Sequence, residues 1–201
     1  MKGLTIKNLT TEIFQGLSFE LTISGLYGII GRNGIGKSTL FSILNQEIIV
    51  KSARIETSKL VYVPSLDIFD KHLTANDYVQ LLSSEEQARF QTYTSRFGGL
   101  DFLNKKIGKY SLGMKELFAF LYTLSLEADV YILDELLDGI DEQKRATAYQ
   151  LLKEVSQDSI ILFTSHNLTE VFAVCDTVYV LDRASLTEVN EISLARELIL
   201  I

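Results

Sequence analysis

The 201-residue sequence has one cysteine, one proline and no tryptophan, and it has no long uninterrupted apolar run. The single Cys175 excludes a disulfide framework and is typical of a chain in a reducing compartment. The single Pro64 excludes a proline-rich linker between domains. No run approaches the roughly 18 apolar residues of a membrane-spanning helix, so we expect another protein to provide any membrane span. The start, Met1-Lys2-Gly3, does not match a signal peptide, and none is expected.

Positive charge is also scarce, because the chain has 19 lysines and arginines against 26 aspartates and glutamates, which gives a net charge of −7. This acidic balance argues against sequence-independent binding to nucleic acid. The apolar fraction of 47% and the charged fraction of 22% are typical of a chain with a well-filled core. At this length we expect one domain over residues 1–201, with or without an inserted lobe.

A glycine-rich loop is the most informative pattern in the sequence. Residues Gly31–Thr39, GRNGIGKST, match G-x-x-x-x-G-K-[ST] at every fixed position. Apolar residues Leu26–Ile30 before the loop indicate a buried strand, and Leu40, Ile43 and Leu44 after it have helical spacing. Strand, loop and helix is the context that a phosphate-binding loop requires. The alternative is a glycine-rich turn that matches by chance.

The residue types in this loop suit a polyphosphate. Glycines let the backbone turn its N–H groups inward, and the following helix directs its positive dipole end at the phosphates. Lys37 would add a point charge for the β- and γ-phosphates, and the Ser38 hydroxyl would bind Mg²⁺. We therefore expect these residues to bind the nucleotide: Gly31, Arg32, Asn33, Gly34, Ile35, Gly36, Lys37, Ser38 and Thr39.

The rest of the chain predicts an α/β fold around this loop. Leu4–Ile6 and Leu17–Ile23 alternate apolar and polar residues, which indicates an N-terminal antiparallel β layer. Ser52–Glu56 and Leu60–Val63 are predicted strands. Residues 66–112 have helical spacing without a strong strand pattern, so we expect a helical lobe inserted into the core.

A second motif lies at Val130–Glu135, where four apolar residues precede two acids. Further predicted strands, Ser159–Thr164 and Thr177–Leu181, alternate with helices, which favours a mostly parallel sheet. Acids at the carboxyl end of a buried parallel strand lie where ligands bind in such sheets. Asp134 could hold Mg²⁺ and Glu135 could polarise an attacking water. The alternative is a strand end with two solvated acids.

Taken together, these motifs and three others resemble the ATP-binding-cassette (ABC) ATPases over nearly the whole chain. Ser111 precedes Asp134 by 23 residues, the separation that the family pattern expects. The elements that resemble the family are a Walker A loop at Gly31–Thr39, a signature at Lys109–Lys115 that contains Ser111 and Gly113, a Walker B strand at Val130–Glu135, a D-loop at Asp138–Asp141 that contains both aspartates, and a switch histidine at Ser165-His166.

The resemblance implies a P-loop NTPase core with the ABC ATPase fold and a Mg²⁺-dependent ATPase activity. Glu135 would then be the catalytic base, His166 would contact the γ-phosphate, and Lys37 would stabilise its charge. Ser111 and Gly113 would bind ATP across the interface with a second ABC subunit, giving a homodimer. The resemblance also implies a separate transmembrane permease as partner and a location on the cytoplasmic face of the membrane.

Several positions depart from the family pattern. Ser65 replaces a glutamine that senses Mg²⁺ and water, Leu112 replaces a signature glycine, and Leu136 replaces a proline. Phe14 is the available candidate to stack on adenine, although its register favours a core position. These departures keep two alternatives open: a nucleotide-gated ABC module with slow or no hydrolysis, and a soluble ABC protein that acts outside transport.

Overall fold

A computed structural model describes residues 3–200, with the side chain of Leu200 excepted. Two 3₁₀ turns, Leu66–Ile68 and Ile107–Lys109, flank the helices of the predicted lobe. The strands and helices in chain order are β1 (Leu4–Thr10), β2 (Gln15–Leu21), β3 (Gly25–Ile30), α1 (Lys37–Leu44), β4 (Arg54–Thr57), β5 (Leu60–Tyr62), α2 (Ala75–Val79), α3 (Ser84–Ser95), α4 (Leu112–Ser125), β6 (Val130–Asp134), α5 (Glu142–Val155), β7 (Ile160–Thr164), α6 (Leu168–Val174), β8 (Thr177–Leu181), β9 (Leu186–Val189) and α7 (Ile192–Leu200).

The main sheet has the strand order β5-β6-β7-β3-β8-β9, and all neighbours are parallel except the β8–β9 pair. Every residue of β3 and β7 is buried, which explains why both strands are apolar throughout rather than alternating. The predicted, mostly parallel sheet is therefore confirmed. Its carboxyl edge brings together the loop after Ile30 and the paired residues Asp134 and Thr164.

A smaller antiparallel sheet covers α1, with the order β2-β1-β4. Leu4 and Ile6 face its core, and each is almost completely buried. The layer predicted from the N-terminal alternation is confirmed, although β1 continues to Thr10 and β4 adds a third strand. Phe14 is fully buried in the same core, so its expected packing role is confirmed.

Residues 66–112, which run from after the end of β5 to the start of α4, contain α2, α3 and both 3₁₀ turns. Each helix begins at a capping box, one formed by Thr74 with Asp77 and the other by Ser83 with Glu86. The region packs on α4 through aromatic rings, because the Phe69 centroid lies 4.9 Å from that of Phe118. We call residues 66–112 the helical lobe below.

Two elements of the structure were not predicted, β9 and α7. β9 is a four-residue edge strand in which Val189 alone is buried, so its sequence lacks a strong apolar pattern. Helix α7 packs against α6, β8 and β9 and buries Ala195 completely. The helix predicted from Met114 in fact begins at Leu112, because the Ser111 hydroxyl accepts a hydrogen bond from the Met114 N–H and caps it.

Candidate functional site

The glycine loop forms a nest of backbone N–H groups ahead of α1. Gly34 and Gly36 have φ values of +80° and +108°, which residues with a Cβ rarely adopt. A Cβ on Gly36 would also lie 2.8 Å from Cγ2 of Ile13, so glycine is required there on two grounds. No side chain caps the start of α1, and its first N–H groups are therefore available to a phosphate.

Lys37, the first residue of α1, is folded back over this loop. Its Nζ donates a hydrogen bond to the Gly31 carbonyl at 3.0 Å and approaches the Arg32 carbonyl at 3.5 Å. These two carbonyl contacts hold the ammonium group at the mouth of the loop. A phosphate oxygen bound there would be a stronger, charge-assisted acceptor for the same ammonium group.

The Asp134 carboxylate accepts hydrogen bonds from three side chains. Ser38 Oγ lies 2.7 Å from Oδ2, Thr164 Oγ1 lies 2.7 Å from Oδ1, and the Tyr62 hydroxyl lies 3.4 Å from Oδ2. Burial first, and then the neighbouring Asp134 carboxylate, raise the pKa of Tyr62. The tyrosine hydroxyl therefore keeps its proton and acts as a donor to the carboxylate.

The Ser38 hydroxyl and the Asp134 carboxylate are suitable ligands for Mg²⁺, which prefers oxygen donors. Their oxygens lie 2.7 Å apart at the mouth of the phosphate loop. Among residues 3–200, no group of three histidine, cysteine, aspartate or glutamate side chains could hold a metal ion by itself. A Mg²⁺ ion here would therefore draw its remaining ligands from phosphates and water, which is its usual arrangement beside a nucleotide.

Glu135 has an unusual backbone conformation that separates its side chain from that of Asp134. Its φ is +56°, and its N–H donates to Thr164 Oγ1 at 2.9 Å. Such strained positions are frequent at functional sites. The turn places Glu135 Oε2 3.1 Å from Nε2 of His166, and both side chains are partly exposed. A carboxylate and an imidazole at this separation are suited to proton transfer with a water molecule.

A cavity of about 400 Å³ lies between the phosphate loop and the Glu135–His166 pair. It brings together Lys37, Glu135 and His166, which the sequence predicted as catalytic residues and which lie far apart along the chain. Ser111 and Gly113 do not line this cavity. Its lining residues are Ile29, Ile30, Gly31, Arg32, Asn33, Lys37, Glu135, Ser165, His166, Leu168 and Ile199.

The signature residues lie instead at the start of α4. Ser111 is exposed, and its hydroxyl caps the helix. Leu112, which replaces a glycine of the family pattern, has a helical backbone and a side chain that is 61% exposed. The helix therefore accommodates the extra Cβ without strain.

The two aspartates of the D-loop have different environments. The Asp138 carboxylate accepts hydrogen bonds from Ser165 Oγ at 2.8 Å and from the backbone N–H of His166 at 3.3 Å. Asp141 caps α5 by accepting the N–H of Lys144, and hydrogen bonds from Lys144 lower the pKa of Asp141. Asp138 therefore positions the histidine segment, whereas Asp141 is occupied at a helix start.

Ser65 does not point towards the Asp134 carboxylate. Its hydroxyl accepts a hydrogen bond from the Asp67 N–H at 3.1 Å and caps the turn Leu66–Ile68. Tyr62, three residues earlier, reaches the Asp134 carboxylate instead. Sequence reasoning missed Tyr62 and Thr164, although their positions at the carboxyl ends of β5 and β7 were a usable signal.

Cys175 and His72 lie outside the motifs. Burial raises the pKa of the Cys175 thiol to about 12, so it stays protonated and is a packing residue rather than a nucleophile. His72 is exposed, in a stretch between the first 3₁₀ turn and α2.

Comparison with known proteins identifies the family. The ABC transporter family model matches residues 14–138, more than half of the chain. The chain belongs to the ABC transporter family. The ATP-binding protein BexA of Haemophilus influenzae is 31% identical over 176 residues, which are 85% of this chain and 81% of BexA. The capsule polysaccharide export ATP-binding protein CtrD of Neisseria meningitidis is 26% identical, over 92% of this chain and 88% of CtrD.

Solved structures agree on the fold. An ATP-binding subunit of an ABC transporter has a TM-score of 0.85 at 20% identity and covers 98% of this chain and 93% of its own. A nucleotide-free ATP-binding cassette has a TM-score of 0.77 at 16% identity, covering 100% and 96%. The predicted ABC ATPase fold is thus confirmed, and the chain is an ATP-binding subunit of an ABC transporter. Within residues 3–200, no helix has the length and apolar character needed to cross a membrane.

Proposed function

We propose that this ABC subunit is a Mg²⁺-dependent ATPase that closes on ATP with a second copy and drives a separate membrane protein. The observation that carries the proposal is the cavity shared by Lys37, Glu135 and His166, with the Ser38–Asp134 oxygen pair beside the same loop. An intact base, an intact phosphate loop and an oxygen pair suited to Mg²⁺ favour hydrolysis over binding alone.

In this reaction the chain would act through positioned charges. Ser38 and Asp134 would hold Mg²⁺, which supplies neutralisation of the phosphate charge. Lys37 would exchange its carbonyl contacts for oxygens of the β- and γ-phosphates. Glu135 would accept a proton from the attacking water, and His166 would contact the γ-phosphate and hold Glu135 in place through the 3.1 Å contact.

A second subunit would complete each site. Ser111 and Gly113 lie at the start of α4, away from the cavity of their own chain, and Ser111 is exposed. We propose that they cover the γ-phosphate bound to a second copy, as the resemblance implies. ATP would then be buried between two chains, and its hydrolysis would let them separate.

The helical lobe would pass this motion to the membrane protein. Its surface carries four exposed large apolar residues, Ile68, Leu73, Leu81 and Leu112, of which Leu81 is 76% exposed. An apolar surface of the membrane protein could pack on these side chains. This contact would hold the subunit on the cytoplasmic face of the membrane. The relative CtrD is named as an ATP-binding protein of capsule polysaccharide export, which is one example of a process that this subunit could drive.

A second candidate function is a nucleotide-gated module that hydrolyses ATP slowly or not at all. The specific observation in its favour is that the Ser65 hydroxyl caps the turn Leu66–Ile68, which leaves the position of the family glutamine without a group that reaches Asp134. A soluble ABC protein outside transport is the third possibility. Co-purification of a membrane protein with the tagged subunit would exclude that third possibility.

Phosphate release from the purified subunit tests the proposal directly. Wild type with MgATP should turn over, and Glu135→Gln should reduce the rate by about 10²–10⁴-fold, the range typical of a lost general base. Excess chelator, which removes Mg²⁺, should abolish turnover of the wild type. Glu135→Gln should still bind ATP, which calorimetry would measure. Equal rates for wild type and Glu135→Gln would contradict hydrolysis at this site and leave the nucleotide-gated module as the better description.

Sedimentation of Glu135→Gln tests the second subunit. The variant should be monomeric without nucleotide and should form dimers with MgATP, because ATP stays uncleaved at the interface. Adding Ser111→Ala to the same chain should weaken this pairing. A monomer at every ATP concentration would count against the two-chain site.

A further inference from the structure

Glu116 is a buried acid that the proposed mechanism does not use. It lies in the second turn of α4, directly after the signature segment Lys109–Lys115, and is only 6% exposed. Its Oε2 accepts a hydrogen bond of 2.7 Å from the backbone N–H of Gly139 in the D-loop. Burial raises the pKa of Glu116, and the hydrogen bond from Gly139 acts in the opposite direction. A carboxylate buried in this way is costly unless the contact it makes is maintained.

The backbones of the signature and the D-loop are in close contact at the same place. A Cβ on Gly113 would lie 2.6 Å from the Gly139 carbonyl oxygen. A Cβ on Gly139 would lie 2.9 Å from both carboxylate oxygens of Glu116. A side chain larger than hydrogen is therefore excluded at Gly113 by the Gly139 backbone, and at Gly139 it would force the Glu116 carboxylate to move. A displacement of the D-loop would displace the start of α4 with it.

The D-loop also contacts the segment that carries His166. Asp138, next to Gly139, accepts hydrogen bonds from Ser165 and from the His166 N–H, and His166 contacts Glu135. A continuous series of contacts therefore runs from the catalytic cavity through the D-loop to Glu116 and the first turn of α4.

We propose that Glu116 is a positioning residue that couples the two ATP sites of the dimer. Through Gly139 it transmits the state of Glu135 and His166 in its own chain to Ser111, which covers the ATP bound by the partner. The proposal rests on the proposed function, because it requires two chains that share each site. Glu116 would therefore act on the ATP site of the partner, which its own signature completes, rather than on the ATP site of its own chain.

A signature-donor assay tests this assignment. A low, fixed concentration of wild type supplies the catalytic site, and an excess of Glu135→Gln supplies the signature without turnover of its own. Phosphate release should rise with the donor. A donor that also carries Glu116→Ala should lower this donor-dependent rate by about tenfold, as loss of a buried charged hydrogen bond predicts. A donor with Ser111→Ala is the matched negative control, and Glu116→Gln, which keeps an acceptor oxygen, should restore the rate to within about threefold.

The reverse arrangement separates coupling from general damage to the fold. Glu116→Ala is placed in the catalytic chain and the donor is left with Glu135→Gln alone, and this rate should stay within about twofold of the reference. Equal loss in both arrangements would overturn the proposal and make Glu116 a structural residue, and no loss in either would overturn it as well. If the wild-type rate does not rise with any donor, the two-chain function itself fails, and this proposal with it.

A double-mutant cycle gives a second measurement, independent of the donor. Gly139→Ala should weaken ATP-dependent pairing in the Glu135→Gln background because its Cβ meets the Glu116 carboxylate. The same change should have a smaller effect when Glu116→Ala has removed that carboxylate. Additive effects would show that the two residues act separately and would overturn the coupling.

Discussion

The nucleotide edge of the sheet and the helical lobe are held together by different forces. At the nucleotide edge, side chains from β5, β7 and α1 converge through hydrogen bonds on one carboxylate, that of Asp134 in β6. Between the helical lobe and α4, rings pack on rings around Phe118 of α4, whose neighbours include Phe69 of the lobe at 4.9 Å and Tyr122 of α4 at 5.7 Å. The lobe also leaves Leu81 exposed on its surface.

The difference separates chemistry from stability. Hydrogen bonds to a carboxylate depend steeply on distance and angle, so the nucleotide edge fixes the positions of reacting groups. Packing of aromatic rings contributes mainly through the area buried and constrains geometry less. Substitutions in the lobe should therefore change the free energy of unfolding, whereas substitutions at the nucleotide edge should change affinity and rate.

Phe118→Ala should have the largest effect on stability, because the side chain is fully buried in the aromatic cluster. We expect a loss of about 3–5 kcal/mol in the free energy of unfolding, measured by urea denaturation. Leu81→Ala is the matched surface change in the lobe and should stay within about 0.5 kcal/mol of wild type. ATP affinity of folded Phe118→Ala should be close to wild type; a large loss would show that the lobe and the nucleotide edge are not separable.

Lys37→Ala should show the opposite behaviour. Loss of the charged contact to phosphate should weaken ATP binding by about 1.5–3 kcal/mol, measured by calorimetry, with little change in unfolding. Lys51→Ala, at an exposed lysine outside the loop, is the control and should bind ATP normally. Equal ATP affinity in the two variants would contradict the assignment of the loop.

Tyr62→Phe sharpens the comparison within the nucleotide edge. It removes the hydroxyl that approaches Asp134 and keeps the ring, which packs edge-on against Phe41. We expect the free energy of ATP binding in the presence of Mg²⁺ to become less favourable by about 0.5–1.5 kcal/mol, measured by calorimetry across Mg²⁺ concentrations. Tyr131→Phe loses a hydroxyl bonded to the Leu126 carbonyl and should leave ATP binding unchanged.

Ser65→Gln should have the smallest effect and should act on rate alone. A longer side chain with an amide could reach the Mg²⁺ shell and orient the attacking water, so we expect kcat to rise about two- to fivefold with little change in KM. Phosphate release at saturating MgATP measures this, with Glu135→Gln as the blank. An unchanged kcat would indicate that another group, with Tyr62 the first to examine, already compensates for the missing glutamine.

Most of the fold could be predicted from local pattern. The glycine loop, the fully apolar strands and the capping boxes each have a physical reason that is visible in a short stretch of sequence. β9 could not be predicted in the same way, because a short edge strand buries one side chain and leaves almost no periodic signal. The roles of Tyr62 and Glu116 were also missed, since a tyrosine in a strand usually packs in the core and an acid in a helix is usually exposed to solvent.

The sequence by itself determined which segments become strands, loop and helices, with β9 and α7 excepted, and it determined the order of the motifs. The tertiary structure alone decided which side chains meet. Asp134 contacts Ser38 across 96 residues and Thr164 across 30, and Glu116 contacts Gly139 across 23. The physical reason is that crossovers in a parallel sheet bring distant strand ends to neighbouring positions about 4.8 Å apart, and no local pattern encodes that proximity.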